Sequence, residues 1–345
     1  MKVAIVGTYP AGTFEKFKNY FSEKPEIEVV EVDTQEKFDA LTEADAIVLR
    51  ILKMPKEVVA RIKGLKMIMR WGAGFDSVDI EEAGKHGIYV CNTPGANAYA
   101  VAELTVALML AVGRKLICHD RAIHQGEWSK NTFLNLTRTL NNKVVGIIGG
   151  GNIGRQVASR VQAFGSTVQY YDPFRLPEEM EEKLHMKYVG LEELIRTSDV
   201  ITLHVPLMDS TRHMIGEKEI EKMKDGAILI NVARGGLMDD EAVVNAVNSG
   251  KLSGAGIDCV EEEPAKPGSL ILENPNIIVT PHVGGGSADI SDVMFPMITE
   301  NIELLEEEKA LKYVVNKQYI LRGKESAYCE AKRPSLRSKT AAFRF

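Results

Sequence analysis

Three glycines follow an apolar run near the middle of the chain. The run starts at Val144 and leads into Gly149, Gly151 and Gly154, which have the spacing G-x-G-x-x-G. Residues 153–164, which come next, have the composition of a helix. A strand, a glycine turn and a helix in this order begin a βαβ unit, so the segment predicts a parallel sheet that binds a dinucleotide.

Each of the three glycines meets a separate requirement of such a turn. Gly149 permits a tight turn, Gly151 lets the backbone approach a pyrophosphate, and Gly154 lets the helix pack close to the strand. Asn152 and Ile153 lie at the start of the helix. Free N–H groups and the helix dipole favour an anion there, so we expect the pyrophosphate at this position.

A carboxylate indicates which dinucleotide binds. The next predicted strand, 167–171, is followed by Asp172, 18 residues beyond Gly154. An acidic side chain at this place accepts hydrogen bonds from the ribose hydroxyls of the adenosine half and repels a 2′-phosphate. The sequence therefore predicts NAD rather than NADP, although Arg175 lies near enough to weaken the preference.

Strand and helix patterns alternate on both sides of this motif, which is typical of doubly wound sheets. Strands are predicted at 2–6, 27–32, 46–49, 67–69, 87–91, 144–149, 167–171, 200–203, 227–232, 254–258 and 277–280. Helices are predicted at 14–21, 55–62, 98–114, 153–164, 191–197, 240–249 and from 288 to about 308. The glycines near the N-terminus, Gly7 and Gly12, lack the dinucleotide spacing. The predicted fold class is therefore α/β, with two Rossmann-like or flavodoxin-like parallel-sheet domains and a cofactor in only one of them.

The chain is too long for one ordinary core, because domains of 100 to 200 residues are usual and it has 345. We predict a discontinuous substrate domain of 1–97 plus 288–320, an NAD-binding domain of 98–287, and a tail of 321–345. The helix at 98–114 is apolar on nearly all sides and must be covered all round, which suits a boundary between domains. We expect nicotinamide and substrate to lie between the two domains.

Composition excludes several classes of protein. The net charge of −6 and the pI near 5.8 give no reason to expect nucleic acid as a partner. The longest apolar stretch, 98–112, is too short to cross a bilayer and contains Glu103, so no membrane partner is expected. The four cysteines form no C-x-x-C, and the N-terminus lacks the features of a signal peptide. The expected location is therefore the cytoplasm.

Three further segments lie where predicted strands end. They contain Arg234 in NVARGG, Glu263 in DCVEEEP, and His282 in TPHVGG. Ligands of open α/β sheets bind outside the carboxyl ends of the strands, so an arginine, a carboxylate and a histidine are expected to converge there.

With these segments in place, the chain resembles the D-isomer-specific 2-hydroxyacid dehydrogenases, the family of D-3-phosphoglycerate dehydrogenase and hydroxypyruvate or glyoxylate reductase. The resemblance runs from about residue 40 to about 315. It also includes GAGFDSVD at 72–79, NTPG at 92–95, AVAE at 100–103 and LHVPL at 203–207. The resemblance implies an NAD-dependent enzyme that transfers hydride between nicotinamide and the second carbon of a small 2-hydroxy or 2-keto acid.

The same resemblance implies the residue roles. His282 would be the general acid and base, Glu263 would bind the other ring nitrogen, and Arg234 would hold the substrate's carboxylate or carbonyl oxygen. The implied cofactor contacts are Gly149, Gly151, Asn152, Ile153, Gly154, Asp172, His204, Pro206, Val232, Ala233, Arg234, Asp258, His282, Gly284 and Gly285. The implied substrate contacts are Arg50, Gly72, Ala73, Gly74, Asn97, Arg234 and His282.

Several alternatives accompany this interpretation. The stretch at 50–53, RILK, departs from the more polar one of phosphoglycerate dehydrogenases, which argues against a phosphorylated substrate. His119 and His124, with Cys118 and Asp120, suggest a metal site, but five residues on a helix rotate a side chain by about 140°, so no metal is expected. His204 is as well explained by a structural role, and Cys259 by a place in the core. An NADH-sensing, corepressor-like interaction protein on the same scaffold is the alternative function. Relatives are commonly dimers through the region that corresponds to 98–133, so a homodimer is expected.

Overall fold

The computed structural model describes residues 1–128 and 130–320. Within this range the chain forms two compact units. The first consists of residues 1–97 and 287–320, and the second of residues 98–286. The predicted tail, 321–345, lies outside the described residues.

The first unit is a five-stranded sheet in which every strand pair is parallel. Its strands are β1 (Lys2–Val6), β2 (Glu28–Val32), β3 (Ala46–Leu49), β4 (Met67–Arg70) and β5 (Tyr89–Cys91). Its helices are α1 (Thr13–Tyr20), α2 (Gln35–Ala40), α3 (Lys56–Arg61), α4 (Ile80–Lys85) and α13 (Ile290–Glu306). The strand order is β2-β1-β3-β4-β5, which is the flavodoxin-like order.

The second unit is a seven-stranded parallel sheet. Its strands are β6 (Val144–Ile148), β7 (Thr167–Tyr171), β8 (Met186–Tyr188), β9 (Val200–Leu203), β10 (Ala227–Asn231), β11 (Leu252–Ile257) and β12 (Ile277–Val279). Its helices are α5 (Ala98–Gly113), α6 (Leu116–His124), α7 (Asn152–Ala163), α8 (Glu178–Leu184), α9 (Leu191–Thr197), α10 (Glu217–Lys222), α11 (Asp240–Ser249) and α12 (Leu270–Glu273). The order β12-β11-β10-β9-β6-β7-β8 is a Rossmann order with one strand added at an edge, so the predicted fold class is confirmed for both sheets.

Continuous apolar runs explain the central strands. Every residue of β3, β9 and β10 is buried, as parallel strands covered on both faces require. Helix α5, which is apolar on nearly all sides, packs against α7, β10, β11 and β12 within the second unit. In the part of the chain that the structure describes, no helix has the length and apolar character needed to cross a membrane.

Most of the helices and strands that sequence patterns did not predict are short, and the exception is α6, which has nine residues. Helix α2 is preceded by Thr34, whose side chain accepts a hydrogen bond from the N–H of Lys37, and α4 is preceded by Asp79, which accepts from the N–H of Glu82. These N-cap residues were visible signals for helices of six residues. Elements α8, β8, α10 and α12 are similarly short.

Candidate active site

The glycine turn after β6 has little room for side chains. Gly149 has φ +110°, and a Cβ on it would lie 2.5 Å from the carbonyl oxygen of His204. A Cβ on Gly154 would lie 2.1 Å from the carbonyl oxygen of Gly149, so only glycine lets α7 approach the strand this closely. Both positions therefore meet the steric requirements inferred from the sequence.

The N-terminus of α7 is open. Gly151 precedes the helix without any side-chain cap, and a Cβ there would meet no atom within 4 Å. Asn152, the first residue of the twelve-residue helix, is exposed, and Ile153 is half-buried. Uncapped N–H groups at an open helix N-terminus suit a pyrophosphate, so this site fits a dinucleotide.

Asp172 lies directly after β7 and is tied to the glycine turn. One carboxylate oxygen accepts a hydrogen bond from the N–H of Gly150 at 2.8 Å, and the other accepts from the N–H of Phe174 at 2.8 Å. Each carboxylate oxygen has a second acceptor position, which is what a ribose diol needs.

Arg175 is held by another residue. Its Nε and Nη2 donate to the two carboxylate oxygens of Glu181, each at 2.8 Å, and the guanidinium carbon lies 5.1 Å from the ring centre of Tyr188. Glu181 also accepts from the Tyr170 hydroxyl, and its pKa is lowered to about 2 by these two partners, Arg175 foremost. The arginine that weakened the NAD prediction is thus engaged in a bidentate ion pair.

His204 and Pro206 follow β9. The Nε2 of His204 lies 3.0 Å from the Thr202 hydroxyl, while its Nδ1 is buried without a hydrogen-bond partner among the described residues. Burial lowers the pKa of His204 to about 3, so the ring is neutral. Pro206 is exposed, and its carbonyl oxygen accepts from Thr211.

The loop after β10 carries Arg234. Its anchor is Asn231, which is fully buried and whose amide donates to the carbonyl of Arg234 at 2.9 Å and accepts from the N–H of Ala233 at 3.1 Å. The guanidinium of Arg234 is half-buried and donates through Nη1 to the carbonyl of Ala233 at 2.7 Å. Val232, which follows β10, is buried. The sequence analysis assigns no role to Asn231. A polar residue at the end of an apolar strand was the available signal that this position anchors the loop.

The histidine and the glutamate are hydrogen-bonded to each other. Nδ1 of His282 lies 2.9 Å from Oε2 of Glu263, and the two side chains are 46% and 40% exposed. With the carboxylate at Nδ1, the ring's Nε2 is the atom left for proton exchange. This is an arrangement in which a carboxylate holds the ring in one tautomer and orientation.

The backbone at His282 is held in the left-handed region, with φ +54°. Its N–H donates to the carbonyl of Asp258 at 2.8 Å. The side chain of Asp258 is 2% exposed and accepts from the Thr280 hydroxyl at 2.6 Å and from the N–H groups of Val283 and Gly284 at 2.9 and 2.7 Å. Asp258, predicted as a cofactor contact, therefore binds the turn that presents His282.

The three segments are close to one another at the carboxyl ends of the neighbouring strands β10, β11 and β12. The carbonyl oxygen of Ala233 accepts from both Arg234 and the thiol of Cys259, the latter at 3.5 Å. The Cys259 sulfur, a ring nitrogen of His282 and a carboxylate oxygen of Glu263 all lie within 4.8 Å of one another. Cys259 is buried as expected, and it lies two residues beyond β11.

The histidines that suggested a metal site have other contacts. The ring of His119 packs edge-on against Phe133 at 4.9 Å, and His124 pairs with Asp120 at 3.6 Å. Within residues 1–128 and 130–320, the one group of three side chains placed to hold a metal ion is Cys259 with Glu263 and His282.

The predicted substrate contacts of the first unit follow strands of its own sheet. Arg50, directly after β3, donates to the carbonyl of Thr8. Gly72, just after β4, has φ +135°, and its N–H donates to the Thr93 hydroxyl at 3.0 Å. An anion site at this turn would therefore use the N–H groups of Ala73 and Gly74. Asn97 immediately precedes α5.

Comparisons with known proteins identify the class. Residues 106–284 match the family model described as D-isomer specific 2-hydroxyacid dehydrogenase, NAD binding domain. A glyoxylate reductase of Thermococcus litoralis is 38% identical over 82% of this chain and 86% of its own length. A hydroxypyruvate reductase of Thermotoga maritima is 41% identical over 77% of this chain and 87% of its own length. A crystal structure of a glyoxylate reductase from Paecilomyes thermophila superposes with a TM-score of 0.80 at 32% identity, covering 92% of this chain and 99% of that one.

The chain belongs to the D-isomer specific 2-hydroxyacid dehydrogenase family. It is an NAD-dependent oxidoreductase that acts on the CH–OH group of 2-hydroxy acids or on the matching 2-keto acids. The predicted reaction class and cofactor are confirmed, and the comparisons do not support the corepressor-like alternative.

Proposed function

We propose that the enzyme reduces a small, unphosphorylated 2-keto acid such as glyoxylate or hydroxypyruvate. The observation that carries this proposal is the 2.9 Å contact between His282 and Glu263 beside Arg234, at the carboxyl edge of the NAD-binding sheet. Relatives with 38% and 41% identity are named for these two substrates. The apolar Ile51 and Leu52 beside Arg50 argue against a phosphate group on the substrate.

His282 is the proposed general acid. Protonated imidazolium is stabilised by Glu263 at Nδ1, and Nε2–H donates to the substrate's carbonyl oxygen as that oxygen gains negative charge. In the reverse direction, neutral Nε2 accepts the hydroxyl proton. Bound NADH would supply the hydride to the substrate's second carbon in the reduction, and bound NAD+ would accept it in the reverse reaction.

Arg234 is the proposed substrate anchor. The planar fork of N–H donors on a guanidinium suits a carboxylate, and the loop that carries Arg234 is held by the buried amide of Asn231. In the first unit, Arg50, Asn97 and the N–H groups of the 72–74 turn are the proposed further substrate contacts. That unit is accordingly the proposed substrate domain.

The proposed NAD site uses the glycine turn and the loops at the same sheet edge. Gly151 and the first residues of α7 would bind the pyrophosphate, and Asp172 the ribose. His204, Pro206, Val232, Ala233, Gly284 and Gly285 are the proposed contacts on the remaining loops. Because Asp172 is fixed beside the turn and Arg175 is paired with Glu181, we expect NADH to be preferred over NADPH.

Purified enzyme should oxidise NADH when given glyoxylate or hydroxypyruvate, followed by absorbance. His282→Gln should lower kcat roughly 100-fold or more because the general acid is lost, while NADH affinity stays close to that of the wild type. His86→Gln is the matched control, since His86 also pairs with a glutamate, Glu82, but is exposed at the C-terminal end of α4 in the first unit. A broad 2-keto acid panel without turnover, or normal turnover by His282→Gln, would contradict the proposal.

We further propose a homodimer that acts in the cytoplasm. The segment 116–136 exposes large apolar side chains that water disfavours as a group: Leu116, Ile117, Ile123, Trp128, Leu134 and Leu136. Free cysteines at 91, 118 and 259 support a reducing compartment. Fractionation of the source cells, with the enzyme in the membrane-free soluble fraction, is the test of location.

A further inference from the structure

A buried thiol lies beside the proposed acid–base pair and has no part in the proposed reaction. Cys259 is 1% exposed. Its sulfur, a ring nitrogen of His282 and a carboxylate oxygen of Glu263 all lie within 4.8 Å of one another. Thiolate, imidazole and carboxylate are the three protein ligand types of zinc. Catalytic zinc sites use three protein ligands and leave the fourth position to water or substrate.

We propose that Cys259, Glu263 and His282 form an inhibitory site for one zinc ion, which binds reversibly and stops proton transfer. Binding itself follows from the geometry alone. The inhibition rests on the proposed function, because it requires His282 to be the general acid and base.

The arrangement needs only a small adjustment to hold the ion. Zinc bonds of about 2.0 Å to nitrogen and oxygen and about 2.3 Å to sulfur place the ligand atoms of a tetrahedron roughly 3.3 to 3.7 Å apart. The present separations are near that range, because Nδ1 of His282 lies 2.9 Å from Oε2 of Glu263 and all three ligand atoms lie within 4.8 Å of one another. Since His282 and Glu263 are partly exposed, the ion can enter from their side.

Charge at the site favours a cation when the ring of His282 is neutral, which is the form that binds a metal. The charged groups that act most on the thiol are the carboxylates of Asp258 and Glu263 and the guanidinium of Arg234, two negative charges against one positive. Burial, the largest cause, and these carboxylates raise the pKa of the Cys259 thiol, so without a metal the group is a neutral thiol and a poor target for oxidants. A bound zinc ion replaces the thiol proton, which passes to solvent.

The consequence for His282 is the same at either ring nitrogen. Zinc at Nδ1 takes the place of the proton shared with Glu263, so the ring can no longer alternate between imidazole and imidazolium. Zinc at Nε2 occupies the proton-transferring atom itself. Both modes remove the acid–base cycle, and both predict inhibition that a chelator reverses.

The test uses untagged, metal-free enzyme titrated with cobalt(II) and, separately, with zinc. Cobalt should produce a thiolate-to-metal charge-transfer band with a stoichiometry near one ion per chain, and excess zinc should abolish the band. Zinc should inhibit NADH oxidation by glyoxylate, and a chelator should restore it. Cys259→Val should lack the band, keep its metal-free activity, and require at least about 10-fold more zinc for inhibition.

Cys118→Ser is the matched control, because Cys118 lies on α6 away from the proposed ligands, and it should behave like the wild type. Cys259→Ser serves as a second variant if the valine variant does not fold. The proposal is overturned if the wild type gives no charge-transfer band, or if Cys259 variants are as sensitive to zinc as the wild type. The band reports the metal site and keto acid turnover reports the proposed function, so the two can fail separately.

Discussion

At the scale of residues, the position of His282 depends on its backbone more than on its side-chain contacts. A non-glycine residue with φ +54° costs on the order of 1 to 3 kcal/mol. That cost is offset by the N–H bond to the Asp258 carbonyl and by three hydrogen bonds that the Asp258 carboxylate accepts from the same turn. Asp258 is therefore a positioning residue, and Thr280 is its hydroxyl partner.

Glu181 acts on cofactor preference through Arg175. In Glu181→Gln the bidentate ion pair loses its charge, so the guanidinium of Arg175 becomes available to a 2′-phosphate. We expect kcat/KM for NADPH to rise roughly 10-fold, the equivalent of one charge-assisted hydrogen bond, with little change for NADH. Steady-state kinetics with both cofactors measure the shift.

Glu182→Gln is the control for this substitution. Glu182 is the exposed neighbour of Glu181 on the same helix, and the hydrogen bonds of Arg175 given above go to Glu181 and not to Glu182. An unchanged NADPH efficiency in Glu181→Gln, with NADH efficiency intact, would show that Arg175 has no influence on the choice of cofactor.

At the scale of elements, the loop after β10 and the loop after β11 touch backbone to backbone. A Cβ on Gly235 would lie 1.8 Å from the carbonyl oxygen of Val260, closer than atoms can approach. One loop carries Arg234 and the other Cys259 and Glu263, so this contact fixes their relative positions. The two loops can pack this closely only because residue 235 is a glycine.

Gly235→Ala should separate these loops. Because backbone atoms cannot move aside cheaply, we expect a destabilisation of about 1 to 3 kcal/mol or more, together with a large fall in kcat. Gly190→Ala is the matched control, since a Cβ there meets no atom within 4 Å and its φ of −66° suits any residue. Thermal unfolding and steady-state kinetics of both variants provide the measurement, and equal behaviour of the two would contradict the steric argument.

At the scale of the whole molecule, both sheets are parallel and present their proposed ligand-binding loops at the carboxyl ends of strands. The sheets differ in strand order and in their glycine turns, and only the turn after β6 has an open helix N-terminus with the dinucleotide spacing. Within the segment 116–136 of the second unit, the described residues include large apolar side chains that are exposed, among them Trp128 at 87%. Such a segment is stable in water when another surface covers it.

Trp128→Asp should convert the proposed dimer to monomer, because a large aromatic residue at an interface contributes disproportionately to binding and a buried charge opposes it. Leu270→Asp is the control, since Leu270 is 59% exposed on a different helix. Analytical ultracentrifugation at micromolar concentration distinguishes the two states. A wild-type protein that sediments as a monomer would refute the dimer.

The glycine turn and the carboxylate beside it could be predicted from sequence, because their requirements involve residues that are near one another in the chain. The turn at Gly149, Gly151 and Gly154 and the carboxylate of Asp172 were evident because steric limits and strand periodicity act between near neighbours in the chain. The grouping of Arg234, Glu263 and His282 came from the family resemblance, since no local pattern joins residues on three loops.

Other features were decided by packing across the sheet edge. The use of Asp258 to hold the turn of His282 and the place of Cys259 beside that histidine both depend on how separate loops meet. Residues 259 and 282 are adjacent only because β11 and β12 are neighbours and the turn after β12 bends back at a positive φ. Sequence patterns carry the periodicity of each strand, but contacts between strand ends depend on register and turn geometry, which arise when the sheet is assembled.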